Sequence, residues 1–279
     1  MSSRLVVVTG GAQGLGRATS LAFASKGHYV VAADISEAHG ASLEQEAVEA
    51  DLALTFVRAD FRLPEACADV ADAARRWARS SAAPGSAQHV GVLVNNVGIQ
   101  VDNGQPVHLL DEKTWDAVMN VNIKSYFLMA KHVIPGMLEQ NRGGAIINVG
   151  SVQGRQSQVG IPAYAASKGA VASLTRQMAM DYSTHGIRTN TISPGTIRTP
   201  LVESLVEQDG HTCEELGARY PLGLMGEPDD IAALCVFLAS ERAKNITGAD
   251  FACDGGIMAM GSWDQRVGLG YLAEQETQA

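Results

Sequence analysis

The sequence of 279 residues predicts an α/β fold, a doubly wound parallel β-sheet with helices on both faces. First, short runs that are apolar throughout alternate with longer runs of helical spacing, as in sheets that are buried on both faces. Second, a glycine-rich stretch follows the first apolar run and opens the first helix. Third, no linker or internal repeat divides the chain. One domain is therefore predicted over 1–260, with a C-terminal extension over 261–279.

Seven strands are predicted from apolar or β-branched runs that end at glycine, proline or polar residues. The first run ends at Thr9 and the second at Asp34. The predicted strands cover residues 5–8, 29–33, 54–57, 90–94, 145–149, 188–192 and 249–253.

Six helices are predicted between these strands from apolar residues at helical spacing. The fourth is expected to break near Pro135, because proline lacks the N–H that a helix needs. Residues 80–88 and 194–226 are predicted as loops, and the second is long enough to suggest a function. The predicted helices cover residues 15–26, 36–50, 65–79, 114–137, 164–182 and 229–238.

Composition excludes several classes of protein. A formal net charge of -9 argues against a nucleic-acid or anionic-membrane binder. The four cysteines are far apart and the seven histidines lack metal-ligand spacing, so neither a disulfide framework nor a metal site is expected. The N-terminus runs directly into a strand pattern, and no apolar run has the length of a membrane helix. A cytoplasmic location is therefore expected.

The glycine-rich turn is the predicted dinucleotide site. Gly10, Gly14 and Gly16, together with Gln13 and Leu15, follow the first strand and open the first helix. Glycine permits the tight turn and the close approach of backbone N–H groups to a pyrophosphate at the helix N-terminus. The spacing is GxxxGxG, and a simple loop is the alternative on spacing alone.

Asp34 follows the glycine-rich turn by about 20 residues, where an acid binds the adenosine ribose hydroxyls. A carboxylate there repels a 2′-phosphate, and neither Ile35 nor Gln13 supplies a cation for one. NAD is therefore expected rather than NADP. In the alternative interpretation, Asp34 only caps the helix that starts near Ser36.

Tyr164 and Lys168 are the predicted centre of the chemistry. They stand four residues apart, so a helix places the phenol and the ammonium group on one face. A neighbouring cation favours tyrosinate, and we expect Lys168 and an oxidised nicotinamide ring to lower the tyrosine pKa from about 10. Ser151, thirteen residues earlier, would hold the substrate oxygen. Taken singly, each residue also fits an ordinary structural or surface position.

With these residues in view, the chain resembles a short-chain dehydrogenase/reductase from Thr9 to Gly256. One departure is Val97, where the family usually has alanine. The motifs that carry the resemblance are Thr9-Gly10…Gly14-Leu15-Gly16, Asp60, Asn95-Asn96-Val97-Gly98, Asn122, Ser151, Tyr164…Lys168, Pro194-Gly195 and Cys253-Asp254-Gly255-Gly256.

The resemblance implies a Rossmann-like sheet of order 3-2-1-4-5-6-7 and a catalytic set of Ser151, Tyr164, Lys168 and Asn122. In such enzymes the asparagine interrupts its helix and binds a water that links the lysine to solvent. Asp60 is expected to hold the adenine amino group. The remaining cofactor contacts implied are Leu15, Phe61, Asn95, Asn96, Gly98, Tyr164, Lys168, Pro194, Gly195, Thr196, Ile197 and Thr199.

The predicted substrate contacts suit a hydroxyl-rich molecule, because buried hydroxyls require hydrogen-bond partners. They are Ser151, Gln153, Gln158, Tyr164 and Gly195. The chain is similar to the branch with L-fucose dehydrogenase and type 14 17β-hydroxysteroid dehydrogenase. We expect oxidation of a secondary alcohol to a ketone or lactone, on a sugar or polyol.

Three alternatives to that activity stay open. A bulky alicyclic or steroid alcohol is the second substrate class, because Leu201, Val202 and Leu205 offer an apolar surface. The other two are another reaction on the same scaffold, such as epimerisation or dehydration, and a non-catalytic dinucleotide sensor. The family resemblance also implies a homotetramer or homodimer. The extension over 261–279 is expected to dock on a neighbouring subunit.

Overall fold

The computed structural model describes residues 3–79, 89–102 and 104–260. Their seven strands form one parallel sheet. The strands are β1 Leu5–Thr9, β2 Tyr29–Asp34, β3 Leu54–Arg58, β4 Val90–Asn95, β5 Gly144–Val149, β6 Ile187–Pro194 and β7 Asp250–Cys253. Their order is β3-β2-β1-β4-β5-β6-β7, so the predicted fold and topology are confirmed. The order reverses beside β1, and a ligand crevice forms at such a point.

Helices cover both faces of the sheet. They are α1 Gly14–Ser25, α2 Glu37–Glu49, α3 Pro64–Arg79, α4 Glu112–Met119, α5 Ser125–Gln140, α6 Pro162–Tyr182, α7 Pro200–Gln208, α8 Cys213–Gly217 and α9 Pro228–Ala239. Successive side chains of β1 enter different cores. Leu5 and Val7 pack with side chains of α3, α5 and α6, whereas Val6 and Val8 pack with α1 and α9. All four are fully buried. The double core holds the carboxyl ends of the strands on a rigid platform.

The predicted break near Pro135 is wrong, because α5 continues through this residue to Gln140. Proline removes a hydrogen bond from the preceding turn. The carbonyl that loses its partner is that of Lys131, and the neighbouring carbonyl of His132 accepts from the guanidinium of Arg75, on α3, at 3.1 Å. The helical segment is interrupted earlier, by a π-helical turn over Asn120–Lys124 that joins α4 to α5.

The segment 194–226 is not a simple loop, because α7 and α8 lie within it. Thr199 caps α7 by accepting from the N–H of Val202, and Pro200 starts the helix. Thr212 and Glu215 form a reciprocal capping box at α8. These caps satisfy the first N–H groups of two short helices, which propensity alone would leave marginal.

Two predicted segments lie outside the described residues. They are the loop over 80–88 and the extension over 261–279, with its Trp263, Tyr271 and Leu272. In the part of the chain that the structure describes, no helix is both long and apolar enough to cross a membrane.

Candidate active site

The glycine-rich turn forms a cradle at the carboxyl end of β1. Gly10 and Gly14 have φ values of +62° and +50°, in the left-handed region that favours glycine. A Cβ on Gly16 would lie 1.8 Å from the carbonyl oxygen of Gly10, which leaves no room for a side chain. Asn96 fixes the turn from β4, because its Nδ2 donates to the carbonyls of Thr9 and Gly10, at 3.0 Å each. The cradle fits the close approach of a pyrophosphate.

Asp34 lies beside this cradle at the end of β2. Its side chain is buried, and its two oxygens accept from the backbone N–H groups of Ala12 at 3.2 Å and Ser36 at 3.1 Å. Ser36, not Asp34, is the N-cap of α2, because its hydroxyl accepts from the N–H of His39. The helix-cap alternative for Asp34 is therefore wrong. Ile35 is half exposed beside it, while Gln13 is an exposed residue of the turn.

Asp60 and Phe61 follow β3 at the predicted adenine end. Nε and Nη2 of Arg62 donate to the Asp60 carboxylate at 2.6–3.1 Å. This ion pair lowers the pKa of Asp60. The Phe61 side chain is buried in the core against α3. Only its backbone therefore remains for the contact predicted at this position.

Asn95, the last residue of β4, has a different role from Asn96, which holds the glycine-rich turn. The side chain of Asn95 is fully buried and donates to Oδ1 of Asn148 on β5 at 2.9 Å. Asn148 in turn donates to Thr175 on α6. The Asn95 side chain thus links the sheet to α6 instead of lining the crevice. Gly98 faces the crevice region, because a Cβ there would lie 3.4 Å from Nζ of Lys168.

Tyr164 and Lys168 lie on the first turns of α6, as their spacing predicts. Ser151, two residues after β5, is hydrogen-bonded to Tyr164, and this bond lowers the tyrosine pKa. Burial has the larger effect and raises that pKa, and the charge of Asp102 raises it further. The expected lowering by Lys168 is therefore wrong for the chain by itself. Tyr164 is held as a protonated phenol.

Lys168 is a buried ammonium group. Its Nζ donates to the carbonyl of Val149 at 2.9 Å and lies over two rings, 5.7 Å from the centroid of Tyr164 and 5.8 Å from that of Tyr126. Both separations are within cation–π range. Burial lowers the pKa of Lys168 to about 8. The amine therefore remains mostly charged at neutral pH and titrates close to it.

Asn122 lies in the π-helical turn between α4 and α5. Its side chain is fully buried; it accepts from the N–H of Ile99 at 2.8 Å and donates to the Ile99 carbonyl at 2.9 Å. Its Nδ2 also donates to the hydroxyl of Ser167, beside Lys168, at 3.1 Å. The interruption of the helix at this asparagine is as expected. The water bridge to Lys168 stays a prediction.

The residues after β6 approach the cradle from the other side. Thr199 lies against the turn, because a Cβ on Gly14 would be 3.4 Å from its Cγ2. The backbone N–H of Thr196 donates to the hydroxyl of Tyr220, which donates to Oγ1 of Thr196. The other three cofactor contacts predicted in this segment are Pro194, Gly195 and Ile197. Pro194 and the Ile197 side chain are buried, and a Cβ on Gly195 would lie only 3.0 Å from Cα of Asp254.

The predicted substrate face is polar near Ser151. The N–H of Gln153 donates to the Ser151 hydroxyl at 3.2 Å, and Oε1 of Gln153 is buried without a partner among the described residues. Nε2 of Gln153 lies 3.5 Å from Oε1 of the exposed Gln158. Arg155 ties this turn to β7 through an ion pair with Asp250.

Sequence reasoning missed three residues that shape this site. Asp102 caps the helix that carries Tyr164, Tyr126 places its ring beneath Lys168, and Tyr220 fixes Thr196. Tyr126 follows Asn122 by four residues, so helical spacing could have found it. Asp102 and Tyr220 make contacts that no local pattern in the sequence marks.

Comparison with known proteins agrees with this geometry. A family model described as enoyl-(acyl carrier protein) reductase matches residues 10–258. The chain belongs to the short-chain dehydrogenase/reductase family. It is 39% identical to 2-(S)-hydroxypropyl-CoM dehydrogenase 3 of Xanthobacter autotrophicus, over 93% of this chain and 100% of the relative. Members of this family are oxidoreductases that use nicotinamide cofactors, and the chain is one of them.

Two further relatives act on different alcohols by name. The chain is 33% identical to 2-dehydro-3-deoxy-D-gluconate 5-dehydrogenase of Dickeya dadantii, over 93% of this chain and 97% of the relative. It is 34% identical to 3beta-hydroxysteroid dehydrogenase 1 of Eggerthella lenta, over 92% and 94%. The solved structure of gox2181 superposes with a TM-score of 0.83 at 28% identity, over 93% of this chain and 97% of that one.

Proposed function

We propose that the protein is an NAD-dependent dehydrogenase that interconverts a secondary alcohol and a ketone or lactone. The observation that carries the proposal is the phenol of Tyr164 beneath the ammonium group of Lys168, with Ser151 near enough to lower the tyrosine pKa. This cluster follows β5 on the same sheet edge as the glycine cradle. A proton carrier beside a dinucleotide cradle is the arrangement that alcohol oxidation needs.

A bound nicotinamide cofactor would supply the hydride transfer at the substrate carbon. Tyr164 takes the hydroxyl proton during oxidation and returns it during reduction. Ser151 holds the substrate oxygen by a hydrogen bond and stabilises the charge that develops there. Lys168 favours the tyrosinate that forms. Because burial raises the Tyr164 pKa, the positive charge of the oxidised ring is the proposed cause of the opposite shift.

We propose NAD as the cofactor, because of the environment of Asp34. Its carboxylate is anchored by two backbone N–H groups, at the distance along the chain where an acid meets the ribose hydroxyls. A 2′-phosphate would face this negative charge. The neighbouring Arg58 is drawn toward Glu37, at 3.5 Å, and Arg62 is bound to Asp60. Neither guanidinium is free of an acidic partner, and this supports the choice of NAD.

A sugar or polyol is the proposed substrate class. The buried Oε1 of Gln153 needs a donor, and a substrate hydroxyl supplies one. The relative named for 2-dehydro-3-deoxy-D-gluconate supports this class. A bulky alicyclic or steroid alcohol is the second candidate, because Leu201 and Leu205 on α7 are exposed apolar side chains. The relative named for a 3beta-hydroxysteroid supports that candidate.

A substrate screen combined with Tyr164→Phe tests the proposal. Wild-type protein is assayed for NAD reduction with sugars, polyols, cyclic alcohols and hydroxysteroids. The variant removes the proton carrier but keeps the ring, so turnover should fall about 10²- to 10⁴-fold while NADH binding survives. Equal turnover by both proteins contradicts the assignment of Tyr164. Binding of NADH without turnover of any alcohol supports the sensor alternative, and conversion without net NADH points to epimerisation or dehydration.

We also propose that the protein is a homo-oligomer in the cytoplasm. Met119, Ile123, Phe127 and Leu174 line an open apolar groove of about 550 Å³ between the α4–α5 segment and α6, and Phe127 is half exposed there. A second copy would bury this surface. Phe127→Glu should reduce the mass measured by light scattering. The four cysteines are free thiols, which supports a reducing compartment.

A further inference from the structure

Asp102 is a buried carboxylate that contacts the catalytic helix. It lies in the segment between β4 and α4, and its side chain is fully buried. Its Oδ2 accepts from the backbone N–H of Ala163 at 2.8 Å and from that of Tyr164 at 3.1 Å. Asp102 is therefore bonded to the backbone of the residue proposed to carry the proton.

The N-terminus of α6 depends on this contact from a distant part of the chain. Ile161, the N-cap residue, has an apolar side chain that cannot accept a hydrogen bond. Pro162 has no N–H, and the N–H of Ala165 returns to the Ile161 carbonyl at 2.9 Å. The N–H groups of Ala163 and Tyr164 thus need an acceptor from outside the helix. Asp102 supplies it, where the helix dipole also favours an anion.

The segment that carries Asp102 is itself fixed in place. At one end, the Asn122 side chain is bonded to both the N–H and the carbonyl of Ile99. At the other end, Gly104 lies against Gly160, where a Cβ on Gly160 would be 2.4 Å from a backbone carbon of Gly104. The carboxylate is therefore held between the end of β4 and the start of α6.

The second oxygen of Asp102 is not needed to cap α6. Oδ1 is buried and has no hydrogen-bond partner among the described residues. A single oxygen already serves both N–H groups, so a neutral asparagine would cap α6 equally well. A buried charge is costly, and here it faces the first turn of α6. What the carboxylate provides beyond a cap is a negative charge bonded to the backbone of Tyr164.

We propose that Asp102 is a positioning residue for Tyr164: it fixes the backbone of the first turn of α6, and its charge sets how readily the phenol releases its proton. This inference rests on the proposed function. Two other titratable groups face Tyr164. They are the ammonium group of Lys168, on the same helix and opposite in charge to Asp102, and the phenol of Tyr126 on α5. The charge of Asp102 raises the pKa of Tyr164, the direction opposite to the one that a neighbouring cation favours. Asp102 holds the phenol protonated until a bound cofactor adds positive charge.

Asp102→Asn and Asp102→Ala separate charge from backbone support. The asparagine variant keeps an acceptor oxygen and loses the charge. Tyrosinate absorbance, titrated against a Tyr164→Phe reference, should show Tyr164 ionising about 0.5–1 pH unit lower than in the wild type. The basic limb of the pH profile for alcohol oxidation should shift in the same direction. The alanine variant should lose roughly 10- to 100-fold in turnover while NADH affinity is kept, because the phenol is misplaced.

Asp111→Asn is the matched control. Asp111 caps α4 by accepting from the N–H of Thr114 at 2.8 Å, on the exposed surface. Its variant should leave the titration of Tyr164 unchanged. An Asp102→Asn protein with the wild-type titration and pH profile overturns the proposal, even if Asp102→Ala fails to fold. Because the titration needs no substrate, it decides the role of Asp102 even where wild-type protein turns over no alcohol, a result that would count against the proposed function alone.

Discussion

Gly16→Ala tests the dinucleotide cradle by adding one methyl group. The new Cβ would lie 1.8 Å from the Gly10 carbonyl oxygen and 2.7 Å from Nδ2 of Asn96. Ordinary contacts to a Cβ begin at 3.4 Å, so the turn must move by well over one ångström. That movement also breaks the hydrogen bond from Asn96 to the Gly10 carbonyl. The substitution therefore disturbs the backbone that is proposed to meet the pyrophosphate.

The expected size of the effect follows from these two losses. Overpacking costs about 1–3 kcal/mol, and the lost hydrogen bond adds roughly 0.5–1.5 kcal/mol. A total near 3 kcal/mol lowers the melting temperature by about 6–12 °C in a protein of this size. If half of that energy also opposes cofactor binding, NADH affinity falls about tenfold or more.

The assay measures the melting temperature by circular dichroism and NADH affinity by fluorescence titration. Gly144→Ala is the matched control, because its Cβ would also be too close to a neighbour, 2.7 Å from Sδ of Met137. Gly144 starts β5, so it lies at the amino end of the strands, away from the glycine-rich turn at their carboxyl ends. That variant should lose stability and keep its NADH affinity. A Gly16→Ala protein with wild-type affinity refutes the cradle as described.

Three further predictions concern charged or titratable groups. Asp34→Asn should lower kcat/KM for NAD about tenfold or more, because a charged acceptor for the ribose hydroxyls is lost. It should also reduce the preference for NAD over NADP, measured as the ratio of the two kcat/KM values, because the charge that opposes a 2′-phosphate is removed. Burial lowers the pKa of His28 from 6.5, so its neutral form stabilises the fold; urea unfolding should show stability lost as the pH falls below about 6.5, a loss that His28→Gln should reduce. Lys168→Met should lower turnover about 100-fold or more without lowering the melting temperature, because it removes a buried charge together with support for the tyrosinate.

The sheet and the cradle could be predicted because their signals are local. Apolar runs identify strands that are buried on both faces, and the glycines mark the positions of the turn where a side chain would clash or strain the backbone. The same logic found Tyr164 and Lys168, because four residues along a helix bring two groups together. The family resemblance supplied the strand order. Local patterns were thus sufficient wherever a residue acts through its neighbours in sequence.

What could not be predicted depends on contacts between distant segments. Pro135 reads as a helix breaker, yet α5 continues through it to Gln140, with Val133 and Ile134 packed in the core against other elements. The raised pKa of Tyr164 reflects burial and Asp102, which the spacing to Lys168 does not report. The two short helices after β6 are a different case. Their Thr-Pro and Thr-x-x-Glu caps are visible in the sequence, and the interpretation of 194–226 as a loop overlooked them.

The hydrogen bonds from Asn96 to the glycine-rich turn have a consequence for synthesis of the chain. The turn emerges from the ribosome early, but the amide that braces it is made more than eighty residues later, after β2, β3 and α3. A nascent chain that has completed only three strands holds all the glycines of the turn without its brace. Binding of a dinucleotide must therefore wait until β4 has inserted beside β1. A ligand present in the cell would then stabilise the completed sheet and not its first half.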